Sequence, residues 1–183
     1  KQFVLLEKQE TAYEIQELWK RRTKDCADAF VRLWRRWGQF GQFIDADTGD
    51  IIIGGSTSGG IIPAALALAA KYFNKEEYLT VAKESGLHYY DDFVKKGFTT
   101  GGPGDACQCP DSESAFGLLT SYTELYELTG EKQWLNMAED MAAQCATWCV
   151  SYDFKFPEES TFGKLQMHTT GTVYANVQNK HAT

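Results

Sequence analysis

The stretch GGPGDACQCPDSESAF, residues 101–116, places three carboxylates and two thiols just before a helical pattern. Asp105 follows a run of glycine and proline, whereas Asp111 and Glu113 lie where the helix is predicted to begin. A protonated carboxyl group beside an ionised one can serve as general acid and general base. The positive end of the helix favours the ionised form of the two acids at its start. We therefore predict catalytic residues among Asp105, Asp111 and Glu113, with Asp105 as the leading candidate.

The same acids also have a purely structural interpretation. Asp111 follows Pro110 and is a residue type that commonly caps the N-terminus of a helix. Glu113 suits the first helical turn without any chemistry. Asp105 is the acid that capping explains least, so both interpretations stay open at this point.

Four cysteines could form a tetrahedral zinc site if the segment folded against a later helix. They are Cys107, Cys109, Cys145 and Cys149. Their spacings, C-x-C and C-x3-C, differ from the usual C-x2-C knuckle, and Cys145 lies on an apolar stripe as a small hydrophobic residue. Zinc is therefore disfavoured, and no cofactor is predicted. The five cysteines show no spacing that favours a local disulfide, which slightly favours cytoplasm over periplasm and leaves the location open.

The elements that must position these residues are helix hairpins. Apolar residues recur with helical spacing, and the segment 61–70 is apolar almost all round, which is typical of a helix surrounded by protein. A shift of about 56 residues aligns Tyr78 with Trp134 and Asn74 with Gly130, as in a repeat. The predicted hairpins cover approximately 8–37, 61–95 and 113–150, with turns near Thr23, Asn74 and Gly130. A fourth hairpin is predicted to begin near Thr172.

Three long connections separate these hairpins, over residues 38–58, 96–112 and 151–171. Each leads from the second helix of one hairpin to the first helix of the next. We therefore expect all three at the end of the bundle where the first helices begin, which we call the rim. Loops of this length are uncommon unless they serve a site.

The first connection contains two motifs that resemble ligand-binding loops but have purely structural interpretations. QFIDADTGDIII, residues 42–53, predicts a β-hairpin whose turn is DADTGD. A calcium loop is disfavoured because its twelfth position would be Ser56 and not glutamate. GGSTSGG, residues 54–60, lacks the lysine of a phosphate-binding loop.

The helix-hairpin pattern resembles the (α/α)6 toroid of six-hairpin glycosidases. The resemblance rests on SESAFGLLTSYTELYELTGEKQWLNMAEDMA, residues 112–142, and on NVQNKHAT, residues 176–183. It is nearest to unsaturated-glucuronyl and related bacterial polysaccharide-degrading hydrolases. It implies an all-α fold with about half of the ring present, and hydrolysis of an oligo- or polysaccharide by carboxyl groups at the rim. The remaining half of the ring would come from the same gene product.

A second set of polar side chains is predicted to bind substrate. Amides, imidazoles and an aromatic ring suit the hydroxyls and apolar face of a sugar. The set comprises His168, Tyr174, Asn176, Gln178, Asn179 and His181, with Ser58 from the first connection. A polar loop that bonds its own backbone is the alternative.

Composition excludes some other functions. The net charge of −7 argues against nucleic acid as a partner, and no apolar run approaches the roughly 20 residues of a membrane span. Isoprenoid chemistry on a toroid is disfavoured because the sequence has no D-x-D-D or D-D-x-x-D run. The rival function is a non-catalytic helical-repeat module that binds a glycan or a protein. Sugar identity, linkage and stereochemical outcome stay open.

Overall fold

The computed structural model describes residues 17–102 and 108–178. These residues are mostly helical, with six α-helices and one two-stranded antiparallel sheet. The predicted helical class and the small β-hairpin are therefore confirmed. None of the described helices is both long and apolar enough to cross a lipid bilayer.

The first helix, α1, spans Glu17–Trp37 without interruption. It buries Ala27, Val31 and Trp34, which lie one turn apart on the face that meets the rest of the bundle. The turn predicted at Thr23 is therefore wrong. Thr23 is flanked by residues such as Arg22 and Lys24 that continue a helix readily, and it is followed by no glycine or proline that would end one. The part of the hairpin 8–37 that precedes Glu17 lies outside the described residues.

The predicted β-hairpin consists of β1, Phe43–Ile44, and β2, Ile51–Ile53. Its turn is closed by Asp45, whose carboxylate accepts the N–H groups of Asp47 at 3.0 Å and Thr48 at 2.8 Å. These bonds hold the pKa of Asp45 below its usual range. The aspartate-rich segment DADTGD thus forms a turn, as the structural interpretation expects.

Two helix hairpins follow, as predicted. The first pairs α2, Ile62–Phe73, with α3, Glu76–Asp92, and a 3-10 turn follows at Val94–Lys96. The second pairs α4, Ser112–Thr129, with α5, Lys132–Ala146. α2 and α4 each end at a residue in the left-handed conformation, Asn74 with φ 48° and Gly130 with φ 69°. The turns predicted at these two residues are confirmed, because asparagine and glycine are the types that tolerate this conformation.

α2 lies at the centre of the bundle, in contact with α1, α3 and α4. Its buried alanines, such as Ala67 and Ala69, allow close approach of the neighbouring helices. Thr57, before α2, contacts Ser114, and Ala64 contacts Ser121 further along α4. In these two contacts the residue number increases along both segments, so α2 and α4 run in the same direction and begin at the same end.

The chain after α5 is not helical where the fourth hairpin was predicted. A short helix, α6, covers Thr161–Lys164. Residues 172–176 form isolated bridges with earlier parts of the chain, and residues 177 and 178 form a bend. Val173 pairs with Cys149, and the Val150 N–H donates to the Thr172 carbonyl at 2.8 Å. The prediction of a helix beginning near Thr172 is wrong for these residues, because their backbone groups bond to earlier parts of the chain.

Candidate functional site

The first two long connections bond directly to each other. The Thr57 N–H donates to the Thr100 carbonyl at 2.7 Å, and the Thr100 N–H donates to the Thr57 hydroxyl oxygen at 2.7 Å. A Cβ atom on Gly101 would lie 2.7 Å from the backbone nitrogen of Ser58, so only glycine allows this approach. The predicted convergence of these two connections at the rim is confirmed.

The segment 175–177, which follows the third connection, reaches the same end. Asp111 and Asn176 form an antiparallel bridge, and the Ser112 N–H donates to the Ala175 carbonyl at 2.9 Å. The Val177 N–H donates to the Pro110 carbonyl at 3.2 Å. The first two connections and the segment 175–177 therefore meet where α2 and α4 begin. The third connection itself, residues 151–171, is not among these contacts, so its predicted place at the rim stays a prediction.

Asp111 is the buried centre of this junction, with 1% of its surface exposed. One carboxylate oxygen accepts the Ser114 N–H at 2.8 Å, as expected of a helix N-cap. The other oxygen accepts the Gly101 N–H at 2.8 Å and the Ser114 hydroxyl. The capping interpretation of Asp111 is confirmed, and the same carboxylate ties the second connection to α4.

A chain of hydrogen bonds ends on this carboxylate. The Thr57 hydroxyl donates to the Ser114 hydroxyl oxygen at 2.8 Å, and Ser114 donates in turn to Asp111. Such chains polarise one another and are stronger than isolated bonds in a buried setting. Sequence analysis missed Thr57, Thr100 and Ser114. Their signal is that threonine and serine surround the predicted helix starts, where their hydroxyls commonly bond to backbone groups.

We expect Thr57→Val to lower the free energy of unfolding by about 1–2 kcal/mol. Valine keeps the shape of threonine but leaves the buried Thr100 N–H without its acceptor. Thr120→Val is the matched control, since the exposed Thr120 hydroxyl bonds only to the Phe116 carbonyl of its own helix. Urea denaturation measures both variants. Equal effects of the two substitutions would contradict the role given to Thr57.

Glu113 differs from Asp111 in being exposed on the first turn of α4. Two apolar side chains at the helix starts are also exposed, Ile61 directly before α2 and Phe116 on α4, three residues after Glu113. An exposed carboxylate at the positive end of a helix is placed to meet a ligand from solution. Asp105 lies outside the described residues, although the Gly102 and Gln108 carbonyls before and after it bond to Gln42 and Thr100 at the rim.

The residues predicted to bind substrate are only partly brought together. Asn176 is buried beside Asp111, and its side-chain oxygen accepts the Gln178 N–H at 3.0 Å. Tyr174 is half-buried, and Gln178 is exposed. Ser58 is half-buried and donates to the Gly41 carbonyl at 3.2 Å. Asn179 and His181 lie outside the described residues.

His168 belongs to a different part of the surface. Its side chain is 81% exposed, and its Nδ1 lies 3.0 Å from a carboxylate oxygen of Asp153. Asp153 also accepts the N–H groups of Thr169 at 2.8 Å and Thr170 at 2.9 Å. The bond from His168 and these neighbouring donors hold the pKa of Asp153 well below its usual range. His168 therefore organises the loop 151–171 and is not shown at the start of α4.

The cysteines show no metal arrangement in the part of the chain that the structure describes. Cys109 and Cys145 are buried, whereas Cys149 is exposed. Burial, with a smaller effect of Cys149, raises the pKa of Cys145 to about 11, which keeps its thiol protonated. Across residues 17–102 and 108–178, no three histidine, cysteine or acidic side chains are grouped to hold a metal ion. Cys107 lies outside these ranges.

The site is thus a junction of the first two connections with the segment 175–177. The buried carboxylate of Asp111 holds it together, and the exposed carboxylate of Glu113 follows two residues later. In comparisons with known proteins, the chain matches no protein-family model, no curated protein and no solved structure.

Proposed function

We propose that the protein is a glycoside hydrolase that acts on an oligo- or polysaccharide by carboxyl acid–base chemistry at the rim. The observation that carries this proposal is the convergence of the first two long connections with the segment 175–177 where α2 and α4 begin. This convergence gathers an exposed carboxylate, Glu113, with the second connection, which carries Asp105. Hydrolysis of a glycosidic bond needs two carboxyl groups on either side of that bond.

In this proposal Glu113 and Asp105 are the reacting acids. One protonates the leaving oxygen, and the other either activates water or attacks the sugar. Asp111 is a positioning residue, because its carboxylate oxygens accept three donors from within the protein. It fixes the start of α4 and therefore the place of Glu113. The distance between the two reacting carboxyls would decide between retention and inversion.

Substrate binding is assigned to the polar side chains of the same rim. Asn176 forms the bridge to Asp111, with Tyr174 before it and Gln178 after it, and Ser58 lies beside Gly101. We assign Asn179 and His181 to the same group because they continue this segment. His168 would contribute through the loop 151–171, whose base bonds to Val150.

A toroid of the six-hairpin kind is the arrangement that we propose for the whole domain. Three features support it. The two hairpins have helix ends at Asn74 and Gly130 and fully buried aromatics at Tyr78 and Trp134, with the same offset of 56 residues in both pairs. α2 and α4 run in the same direction side by side. Exposed apolar side chains, such as Ile61 and Phe116, are suited to contact with further hairpins of the same gene product.

We expect the purified protein to release new reducing ends from at least one polysaccharide. The experiment incubates it with a panel of neutral and uronate-containing polysaccharides and measures reducing sugar, with heat-denatured protein as the control. Affinity electrophoresis on the same panel measures binding separately. Binding without release would replace the hydrolase by a non-catalytic glycan-binding module. If the protein neither cleaves nor binds any polysaccharide of the panel, the proposed function is wrong.

A further inference from the structure

A cleft lies close to the rim, next to the ends of α1 and α3. It has a volume of about 480 Å³ and is formed by the end of α1, the first connection and the end of α3. Its lining comprises Trp37, Gly38, Gln39, Gly55, His88, Asp92, Phe93, Lys96 and Phe98. Clefts of about 300–1,000 Å³ with a few polar groups are typical of small-molecule sites. None of these residues is among the catalytic or substrate-binding residues proposed for the rim.

Two exposed aromatic side chains form part of its walls. Trp37 is 41% exposed and Phe98 is 40% exposed, so part of each ring is accessible to a ligand. Both are held in place. The Trp37 indole N–H donates to the Gly49 carbonyl at 3.2 Å, and the Arg36 guanidinium lies 4.7 Å from the ring centroid. Phe98 packs edge-on against the buried Phe93 at 5.7 Å. Fixed aromatic rings lose little conformational entropy when a ligand binds.

The polar groups of the cleft supply both donors and acceptors. His88 Nδ1 lies 2.8 Å from one Asp92 oxygen, and Lys96 Nζ lies 3.8 Å from the other. The Gln39 side-chain oxygen accepts the Gly55 N–H at 2.8 Å, which leaves the amide NH2 with two donors. The charges of Asp92 and Lys96 offset each other, so the cleft favours a neutral ligand over a strongly charged one.

The cleft is separated from the rim by a narrow strip of chain. The Gly54 carbonyl accepts the Gln108 side-chain amide on the rim side. The next residue, Gly55, donates to Gln39 on the cleft side. A ligand that extended from one site to the other would therefore cross only this strip.

We propose that this cleft binds a neutral sugar unit, with the pyranose ring against Trp37 and Phe98. Sugar hydroxyls both donate and accept hydrogen bonds, which matches the mixed set of Gln39, His88 and Asp92. The apolar C–H face of the ring packs on the aromatic side chains. The assignment of this sugar to the polysaccharide that is cleaved at the rim rests on the proposed function. The binding of a sugar in the cleft does not.

Saturation-transfer NMR titrations with cellobiose, xylobiose, maltose and lactose test the proposal. At least one disaccharide should bind saturably. Trp37→Ala and Phe98→Ala should each weaken this binding at least tenfold. Trp19→Ala is the matched control, because Trp19 is an exposed tryptophan about 27 Å away along the same helix. It should leave binding unchanged. Far-UV circular dichroism checks that each variant is folded, and Phe98→Ala carries the test if Trp37→Ala does not fold.

The outcomes separate this proposal from the hydrolase. Glu113→Gln should leave disaccharide binding in the cleft unchanged, whatever it does to hydrolysis. If disaccharide binding depends on Phe98 or Trp37 but the protein cleaves no polysaccharide, sugar binding in the cleft is supported and the proposed hydrolase function is contradicted. The proposal that the cleft binds a sugar would be wrong if none of the four disaccharides bound. It would also be wrong if the folded Trp37→Ala and Phe98→Ala variants bound as well as the unmodified protein. Binding of benzoate but of no disaccharide would show that the cleft takes aromatic acids instead.

Discussion

Glu113→Gln is expected to lower kcat for polysaccharide hydrolysis at least about 100-fold, the usual contribution of a general acid or base. Glutamine keeps the length and hydrogen-bonding groups of the side chain but can neither donate nor take up the reacting proton. The free energy of unfolding should change by no more than about 1 kcal/mol, because the side chain is exposed and loses only its interaction with the helix dipole. Reducing-sugar release under saturating substrate measures kcat.

Glu127→Gln is the matched control for this experiment. Glu127 is also exposed on α4, about 21 Å further along the helix, near its C-terminal end. It should retain the kcat of the unmodified protein. Asp105→Asn should lose turnover to a similar extent as Glu113→Gln if the two form the reacting pair. Full turnover in Glu113→Gln would remove Glu113 from the chemistry and leave the convergence of the connections without a catalytic acid on α4.

The sequence predicted best where a local pattern alone decides the structure. The apolar stretch at 61–70 indicated a central helix, and α2 is that helix. Asn74 and Gly130 marked the helix ends because few other residue types adopt a left-handed conformation. The convergence of the connections then followed from hairpin topology, without knowledge of any contact.

The failures occur where partners distant in the chain decide the conformation. Residues 172–178 have a pattern compatible with a helix start, but carbonyl groups of this segment accept hydrogen bonds from Val150 and Ser112, and the segment is not helical. The partner of His168 is Asp153, in the preceding part of the same long loop, and no spacing rule connects these two residues. The turn predicted at Thr23 is wrong for the opposite reason. It carried no local signal for a turn, and α1 continues through it.

The sequence predicted where the connections meet, at the starts of the helices, but it did not predict the role of each residue there. Asp111 and Glu113 are two residues apart, and the sequence left catalysis and capping open for both. The structure separates them by burial. Asp111 is enclosed with three donors, and Glu113 faces solvent. The His88–Asp92 pair was missed, although a histidine and an aspartate four residues apart on a predicted helix are the available signal.

Asp111→Asn is expected to lower the free energy of unfolding by about 3 kcal/mol, more than any other substitution considered above. In the native protein each carboxylate oxygen accepts a backbone N–H, one from Gly101 and one from Ser114. The asparagine amide has only one oxygen, so its NH2 group must face one of these donors in a buried setting. Urea denaturation with linear extrapolation measures the loss. Asp47→Asn is the control, because Asp47 is exposed in the β-hairpin turn, and it should change stability by less than about 0.5 kcal/mol.

The same variant decides how a loss of activity at Asp111 should be understood. If Asp111 only positions α4, any fall in turnover should accompany the loss of stability and should be smallest under conditions where the variant is fully folded. A carboxylate that takes part in the reaction would behave differently, because turnover would fall 100-fold or more even in the folded protein. That result, together with unchanged stability, would move Asp111 from the support of the rim to its chemistry.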